Sequence, residues 1–287
     1  MRITFVIIIA AAAAIAVAGA SIAAVYLARP YGPPNPALQD GQRNPPENGN
    51  SSASAGPSGK VLSVFTSTRD AATIGLIEKY VGPGDDVIGP GSPLARDIPS
   101  AKKIAPTPSI DGIATATSDA RSRGIRLDYI VYDPEHWPQT PEQEQQDIAG
   151  SVSKAADAVH GAGLKFGVTP DRTYLIDNYQ SIDWRKVDYL NMQFQRELAD
   201  RANFTLFAGD VKKVTEFARA ENPNIEVFVQ MSFRFTDPQD IIKAVDMSSG
   251  YVDGFVFVYL PNGPCQYCSN ENLETVLAHV HPLGRQV

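Results

Sequence analysis

Short apolar runs alternate with amphipathic stretches from residue 61 to the end of the chain. Several runs are apolar on both faces, which is typical of strands in a buried parallel sheet. The stretches between them have the spacing of apolar residues that predicts helices. Strands are predicted at 61–65, 86–89, 127–133, 164–169, 187–194, 225–231 and 252–259, and helices at 70–81, 109–123, 141–162, 207–220, 238–249 and 270–280.

This alternation predicts βαβ units and an α/β fold with a parallel sheet. An open doubly wound sheet and a closed barrel both fit the pattern. No Gly-x-Gly-x-x-Gly segment follows the first strand and no Walker loop occurs, which disfavours the nucleotide-binding form of the open sheet. The length of 61–287 is typical of a (β/α)8 TIM-type barrel. We expect the eighth strand within the irregular residues 91–108, or else an incomplete barrel.

The N-terminal residues 1–28 contain a long apolar run with one arginine on each side. As a helix this run would be about 39 Å long, which exceeds the roughly 30 Å core of a bilayer. The triplet Ala18-Gly19-Ala20 also fits a signal-peptide cleavage site. We therefore expect a retained membrane anchor or a cleaved signal peptide. In either case the remaining chain is expected to be exported, and to be anchored on the cell exterior or secreted.

Residues 29–60 are rich in Pro, Gly, Asn and Ser and contain few apolar residues. Such a segment buries too little surface to offset the entropy of ordering it, so it is predicted to be a linker. The barrel domain is then expected at 61–287. The net charge of −7 and the lack of a basic stripe argue against a nucleic-acid partner.

Two carboxylates, Asp133 and Glu135, end the third predicted strand, and His136 and Trp137 follow them. Pro134 favours extended geometry at the residue before it, and residues i and i+2 of a strand face the same side. The two acids should therefore point together, and their repulsion is expected to leave a proton on one of them. An acid pair beside an aromatic ring suits a carbohydrate site. The alternative is a strand that ends in a solvated Asp-Pro turn.

Polar and aromatic residues also follow the other predicted strands. In a barrel, these positions meet at the face where catalytic residues lie. Carboxylates, amides and aromatic rings around one opening favour a sugar site over a phosphate or metal site. Two readings remain open, because Asp171 could be a helix cap, and Gln193 and Gln230 could be interior hydrogen-bonding groups. The residues are Asp171, Arg172, Asn191, Gln193, Gln195, Arg196, Glu197, Gln230, Ser232, Arg234, Tyr259 and Asn262.

Residues 127–135 read Leu-Asp-Tyr-Ile-Val-Tyr-Asp-Pro-Glu. This segment resembles the signature of the family 18 glycoside hydrolases, the chitinase family: apolar, Asp, Gly, apolar, Asp, apolar, Asp, any, Glu. Asp128, Asp133 and Glu135 match it, and His136 matches the Glu-His pair of the hevamine-type branch. Residues 187–194 are similar to a later strand of that family. Residues 254–259 are similar to its final strand, whose aromatic residue, here Tyr259, forms the floor of the sugar site.

Three positions depart from the family pattern. Tyr129 stands in place of Gly, Val131 in place of the middle Asp, and Gln195 where the family has its catalytic tyrosine. A carbohydrate-binding barrel without catalysis, displayed at the cell surface, is therefore the alternative function. In that case Trp137 and Tyr259 would still stack on sugars.

The resemblance implies a substrate-assisted glycosidase that needs no cofactor and acts on a glycan with 2-acetamido groups. Glu135 would protonate the glycosidic oxygen, and Asp133 would orient the acetamido group that attacks the anomeric carbon. The amide of Gln195 would replace the tyrosine hydroxyl. If the substrate lacks an acetamido group, Asp171 or Glu197 would serve as the second carboxylate of the usual mechanism.

Cys265 and Cys268 form a Cys-x-x-Cys sequence near the C-terminus. A local disulfide is favoured outside the cell, while redox thiols and a zinc half-site are alternatives. His279 and His281 would point about 200° apart on a helix, so one helix does not aim both at one ion. A divalent cation at Asp133, Glu135 and His136 is a further alternative, but no metal is predicted.

Overall fold

A computed structural model describes residues 59–282 except 90, 93, 196–197 and 199–202. The predicted span at 1–28 and all but the last two residues of the predicted linker lie outside this part of the chain. Within the described residues, no helix is both long enough and apolar enough to cross a bilayer.

Eight parallel strands form a closed barrel in which each strand pairs with the next and β8 pairs with β1. This order confirms the predicted α/β class and the closed form of the sheet. The eighth strand does lie within 91–108. The strands are β1 Val61–Phe65, β2 Asp86–Ile88, β3 Lys102–Thr107, β4 Tyr129–Tyr132, β5 Lys165–Val168, β6 Tyr189–Gln193, β7 Glu226–Ser232 and β8 Gly254–Val258.

Helices follow the strands and cover the outer face of the barrel. They are α1 Ala71–Glu78, α2 Leu94–Asp97, α3 Gly112–Ser122, α4 Glu142–Gln146, α5 Ile148–Gly161, α6 Arg172–Asn178, α7 Phe204–Glu221, α8 Pro238–Ser248 and α9 Asn270–Val280. The short helices α2 and α6 are not predicted by the apolar spacing.

The single helix predicted at 141–162 is wrong, because α4 and α5 are separate. Asp147 between them has φ −136° and ψ 70°, which no helix accommodates, and its side chain accepts a hydrogen bond from the backbone N–H of Gly150. Asp147 therefore caps α5 and leaves α4 as a single short turn.

Two apolar layers hold the barrel together. The outer layer packs one face of the strands against the helices. The inner layer fills the lumen with side chains from the opposite strand faces, so the barrel has a packed interior. The ring of Tyr189 stacks on Phe228 at a centroid distance of 4.5 Å and lies 5.5 Å from Tyr129. The lumen cluster consists of Ile88, Ile104, Tyr129, Val131, Tyr189, Phe228 and Val256.

Charged side chains lie at the N-terminal end of the lumen. Glu226 accepts hydrogen bonds from Lys102 Nζ at 2.8 Å and from the Tyr129 hydroxyl at 2.7 Å. Asp86 is 1% exposed, and neither of its carboxyl oxygens has a hydrogen-bond partner among the described residues. Burial raises the pKa of Asp86 to about 8, although the nearby charge of Lys102 acts in the opposite direction.

The Asp86→Asn variant should reveal this buried proton. The carboxyl of Asp86 keeps its proton in the folded barrel up to a pH of about 8, whereas in the unfolded chain it loses the proton near its ordinary pKa of about 3.9. The protonated carboxyl therefore stabilises the fold fully below pH 4, and this stabilisation is lost as the pH rises to about 8. We expect the wild-type free energy of unfolding to fall by a few kcal/mol relative to Asp86→Asn between pH 4 and pH 8. Urea unfolding at a series of pH values measures this difference. The exposed Asp177→Asn is the control, and a difference that does not change with pH would contradict the prediction.

The start of β8 has no room for a side chain. A Cβ atom on Gly254 would lie 2.5 Å from Cε1 of Phe228 and would also meet the carbonyl oxygen of Val61. We expect Gly254→Ala to lower the free energy of unfolding by about 1–3 kcal/mol, because the lumen must shift to admit a methyl group. Gly209→Ala, at an exposed site in α7 with no atom near the new methyl, should raise it by about 0.5–1 kcal/mol. Thermal unfolding of both variants tests whether the two substitutions change the free energy of unfolding in opposite directions.

Candidate active site

The acid pair lies at the C-terminal end of β4. The backbone N–H of Asp133 donates to the carbonyl of Thr107 at 2.8 Å, which continues the pairing of β4 with β3. Asp133 is 3% exposed and Glu135 is 2% exposed. Both acids therefore sit in the barrel mouth beneath other side chains.

A tight turn after the acids fixes their backbone. The hydroxyl oxygen of Thr140 accepts hydrogen bonds from Nε1 of Trp137 at 2.7 Å and from the backbone N–H of Glu135 at 3.4 Å. The same hydroxyl donates to the carbonyl of Pro108 at 2.9 Å. Thr140 therefore joins the acid turn to the end of β3.

The amide of Gln193, at the end of β6, meets both acids. Its Nε2 lies 2.9 Å from Oδ1 of Asp133, 2.9 Å from Oε1 of Glu135 and 2.9 Å from the backbone carbonyl oxygen of Thr169. The two carboxyl groups are thus within hydrogen-bond distance of one nitrogen atom. Gln193 is 7% exposed, so this junction is shielded from bulk solvent.

Three further amides continue from Gln193 across the mouth. Nε2 of Gln195 lies 3.4 Å from Oε1 of Gln193, and Nε2 of Gln230 lies 2.8 Å from Oε1 of Gln195. Nδ2 of Asn191 lies 2.8 Å from Oε1 of Gln230. We call these four residues, Gln193, Gln195, Gln230 and Asn191, the amide chain. The structure thus joins three predicted site residues, Gln193, Gln195 and Gln230, to the acid pair.

The aromatic residues predicted as sugar platforms have little open ring surface. Trp137 is 9% exposed, and its indole N–H is bonded to Thr140. Tyr259 is 2% exposed, packs edge-on against Phe233 at 5.6 Å and donates its hydroxyl to Asn270 at 3.2 Å. Both rings therefore pack against neighbouring side chains, whereas His136 beside the acids is exposed.

Asp171 serves as the cap of α6. Its Oδ1 accepts the backbone N–H of Thr173 at 2.9 Å, which corresponds to the helix-cap reading of this residue. The next residue, Arg172, extends its guanidinium to Asp210 at 2.9 Å. The other carboxylate considered for this role, Glu197, lies outside the described residues, as does Arg196.

Sequence reasoning assigned no role in the site to Thr140 or Thr169. Thr140 acts from a turn outside the strands, and Thr169 acts through a backbone carbonyl, which leaves no signal in the sequence. Asn191, which the sequence analysis placed among the polar residues at the strand ends, lies two positions before Gln193 on the same strand face.

Cys265 and Cys268 are joined in a disulfide with Cα atoms 5.5 Å apart. Two backbone N–H groups inside this small loop donate to the segment after β7. The N–H of Gln266 donates to the carbonyl of Arg234 at 3.2 Å, and the N–H of Tyr267 donates to the carbonyl of Phe233 at 3.1 Å.

The zinc alternative lacks its remaining ligands. His279 pairs with Asp246 at 2.7 Å, and the two ring nitrogens of His281 face the carbonyls of Tyr80 and Lys60. In the part of the chain that the structure describes, no group of three or more His, Cys, Asp or Glu side chains is arranged to hold a metal ion.

Comparison with known proteins leaves the family open. No family model and no curated protein matches the chain. A GH18 chitinase from Pseudoalteromonas aurantia is 14% identical, with a TM-score of 0.48, over 70% of this chain and 93% of that chain. The 3-keto-L-gulonate-6-phosphate decarboxylase from Vibrio cholerae is 12% identical, with a TM-score of 0.46, over 75% of this chain and 96% of that chain. The YdjI aldolase from Escherichia coli is 11% identical, with a TM-score of 0.45, over 71% and 77%.

These three structures are named for different reactions, and barrels of this kind support many chemistries. The function must therefore be argued from the site of this chain.

The junction at Gln193 should contribute strongly to stability. Gln193→Met keeps the length of the side chain but removes the donor that faces Asp133, Glu135 and the Thr169 carbonyl. We expect the free energy of unfolding to fall by about 2–4 kcal/mol, because buried acceptors lose their donor. Gln180→Met, at an exposed position after α6, should change it by less than about 0.5 kcal/mol. Equal urea midpoints for the two variants would contradict this role.

Proposed function

We propose that this barrel is a glycoside hydrolase that acts on a glycan containing 2-acetamido sugars. The observation that carries the proposal is the meeting of the Asp133 and Glu135 carboxyls at the Gln193 amide nitrogen. This pair lies at the C-terminal end of the strands, where TIM-barrel enzymes have their catalytic groups. Its sequence frame is the one that resembles the family 18 signature.

In the proposed reaction, Glu135 donates a proton to the glycosidic oxygen as the bond between that oxygen and the anomeric carbon breaks. The carbonyl oxygen of the 2-acetamido group forms the new bond to the anomeric carbon. Asp133 accepts a hydrogen bond from the acetamido N–H and stabilises the positive charge that develops on this group. Water then opens the cyclic intermediate, and Glu135 takes a proton from that water. The substrate thus supplies the nucleophile, a known exception to the two-carboxylate scheme.

The environment of the pair supports a division of roles. Repulsion between two buried carboxylates that meet at the same nitrogen atom favours a proton on one of them. The amide N–H₂ of Gln193 stabilises the charge on the other. One acid and one carboxylate at adjacent positions are the two forms that the reaction requires.

The Gln195 amide can take the role of the catalytic tyrosine in the family pattern. Its side chain is partly exposed, and its Nε2, which donates to Gln193 at 3.4 Å, carries a second hydrogen. An acetamido carbonyl that enters the mouth could therefore accept a hydrogen bond from Nε2 of Gln195.

Access to the acids requires movement, because both carboxyls are almost completely covered. A substrate reaches Glu135 only when side chains at the mouth move aside. This need for opening is common to enzymes that exclude water from the reacting bond.

The alternative is a carbohydrate-binding barrel without catalysis. Val131, at the position of the family's middle Asp, is 3% exposed and packs in the lumen cluster. The site therefore lacks the third acid of that signature. The assay below separates the two functions.

We also propose that the barrel works outside the cell, either anchored through residues 1–28 or secreted. The Cys265–Cys268 disulfide supports this setting, since such bonds persist in oxidising compartments.

The test is an assay of the full-length protein on soluble N-acetylglucosamine oligomers, with products separated by chromatography. We expect the wild type to shorten the oligomers, and Glu135→Gln and Asp133→Asn to reduce the rate by about 10²-fold or more, because each removes a group that acts in the transition state. Glu142→Gln, at an exposed position in α4, should retain the wild-type rate.

Two results would contradict the proposal. Oligomers that bind but are never shortened, with Glu135→Gln indistinguishable from the wild type, would establish the binding function instead. Equal cleavage of glucose oligomers would show that the acetamido group takes no part in the reaction.

A further inference from the structure

The direction of the amide chain follows from one backbone group. The carbonyl of Thr169 accepts hydrogen bonds and cannot donate them, so the Gln193 side chain must turn its nitrogen toward Thr169 and the acids. Its oxygen then faces Gln195, which must donate to it.

The same reasoning continues along the chain. The oxygen of Gln195 faces Gln230, which donates to it at 2.8 Å, and the oxygen of Gln230 faces Asn191, which donates at 2.8 Å. Nδ2 of Asn191 also lies 3.2 Å from the hydroxyl oxygen of Thr169. Every amide therefore has one orientation, with its N–H₂ group directed along the chain toward the acid pair, and such chains strengthen each hydrogen bond within them.

We propose that Gln230, held by Asn191, is a positioning residue that fixes the Gln195 amide with its N–H₂ group toward the acid pair, so that the mouth selects acetylated over deacetylated amino sugars. This inference rests on the proposed function. Gln230 donates to Gln195 and accepts from Asn191, so in this proposal both residues act on the substrate through Gln195. This role for Gln230 replaces the direct contact with substrate that the sequence predicts.

The chemistry of the ligand follows from the chain itself. An acetamido group is an amide, with one carbonyl acceptor and one N–H donor. Its carbonyl can accept from Nε2 of Gln195 while its N–H donates to Asp133. The acetamido group therefore fits between these two side chains as a further amide in the chain. The ammonium group of a deacetylated sugar has donors only and leaves the Gln195 N–H₂ group without an acceptor. A polar group that the bound sugar covers and leaves unpaired in this way is a strong source of selectivity.

Gln230→Glu is the variant that tests the orientation. In its ionised form, which a measurement at high pH selects, the new carboxylate still accepts from Asn191 but has no hydrogen to donate to Gln195. The Gln195 amide should then turn over and present its carbonyl oxygen toward Gln193. Gln230→Met, which neither donates nor accepts, releases Gln195 without adding charge. Gln239→Glu makes the same chemical change at an exposed position in α8 and is the matched control.

The first measurement needs no ligand. In the ¹⁵N-labelled full-length protein, we expect the side-chain N–H₂ signals of both Gln195 and Gln193 to shift in Gln230→Glu and to stay at their wild-type positions in Gln239→Glu. Unchanged signals of Gln193 and Gln195 in Gln230→Glu and Gln230→Met would overturn the inference, whether or not the protein cleaves any glycan.

The second measurement is the ratio of the affinities for N-acetylglucosamine and glucosamine oligomers, determined by calorimetry. We expect this ratio to fall by about 10-fold or more in Gln230→Glu, because an unpaired buried group is worth about 1–3 kcal/mol. A merely structural role would weaken both ligands equally, and an unchanged ratio would overturn the inference.

These outcomes separate the inference from the proposed function. If the wild type binds acetylated oligomers selectively but does not cleave them, and the Gln230→Glu ratio falls, hydrolysis is disproved and the positioning role stands. If the wild type has no preference for acetylated oligomers, the selectivity is disproved even when the amide signals shift.

Discussion

The candidate site depends on one nitrogen atom. Nε2 of Gln193 comes from the end of β6, and it meets two carboxyls that follow β4 and a carbonyl that follows β5. It thus ties together the ends of three consecutive strands. A glutamine side chain suits this place because it donates to acidic oxygens without adding charge, while its own oxygen remains available to the next amide.

The barrel interior separates two sets of polar groups. At the C-terminal end lie the acids and the amide chain, and at the N-terminal end lie Asp86, Glu226 and Lys102. The lumen cluster fills the space between them with rings such as Tyr189 and Phe228. Because this packing excludes water, charges within each set interact strongly with their own neighbours. The lumen cluster also gives the C-terminal end of the barrel a packed base.

Much of the fold could be predicted from the sequence because most strands are continuous apolar runs. Strand β3 was hidden, since it begins with two lysines and contains Pro106. Lys102 is compatible with the lumen only because Glu226 from β7 pairs with it, and a single sequence does not show such a distant partner. The break at Asp147 was missed because helical spacing continues through it, although the backbone does not.

The acid pair was predictable because strand geometry relates residues two apart. The depth at which it lies was not, since it depends on contacts between segments far apart in the chain. Trp137 illustrates the difference. Its position beside the acids suggested an open platform, but Thr140 binds its indole nitrogen and the ring is buried. Gln195 and Gln230 were recognised as polar strand-end residues, but the direction of the hydrogen bond between them depends on Thr169, Gln193 and Asn191, which a single sequence does not bring together.

The small disulfide loop has a mechanical consequence for the barrel mouth. Its backbone is hydrogen-bonded to Phe233 and Arg234, so the segments that follow β7 and β8 are held together at the barrel mouth. The disulfide between Cys265 and Cys268 stiffens these two segments, and we expect them to move together.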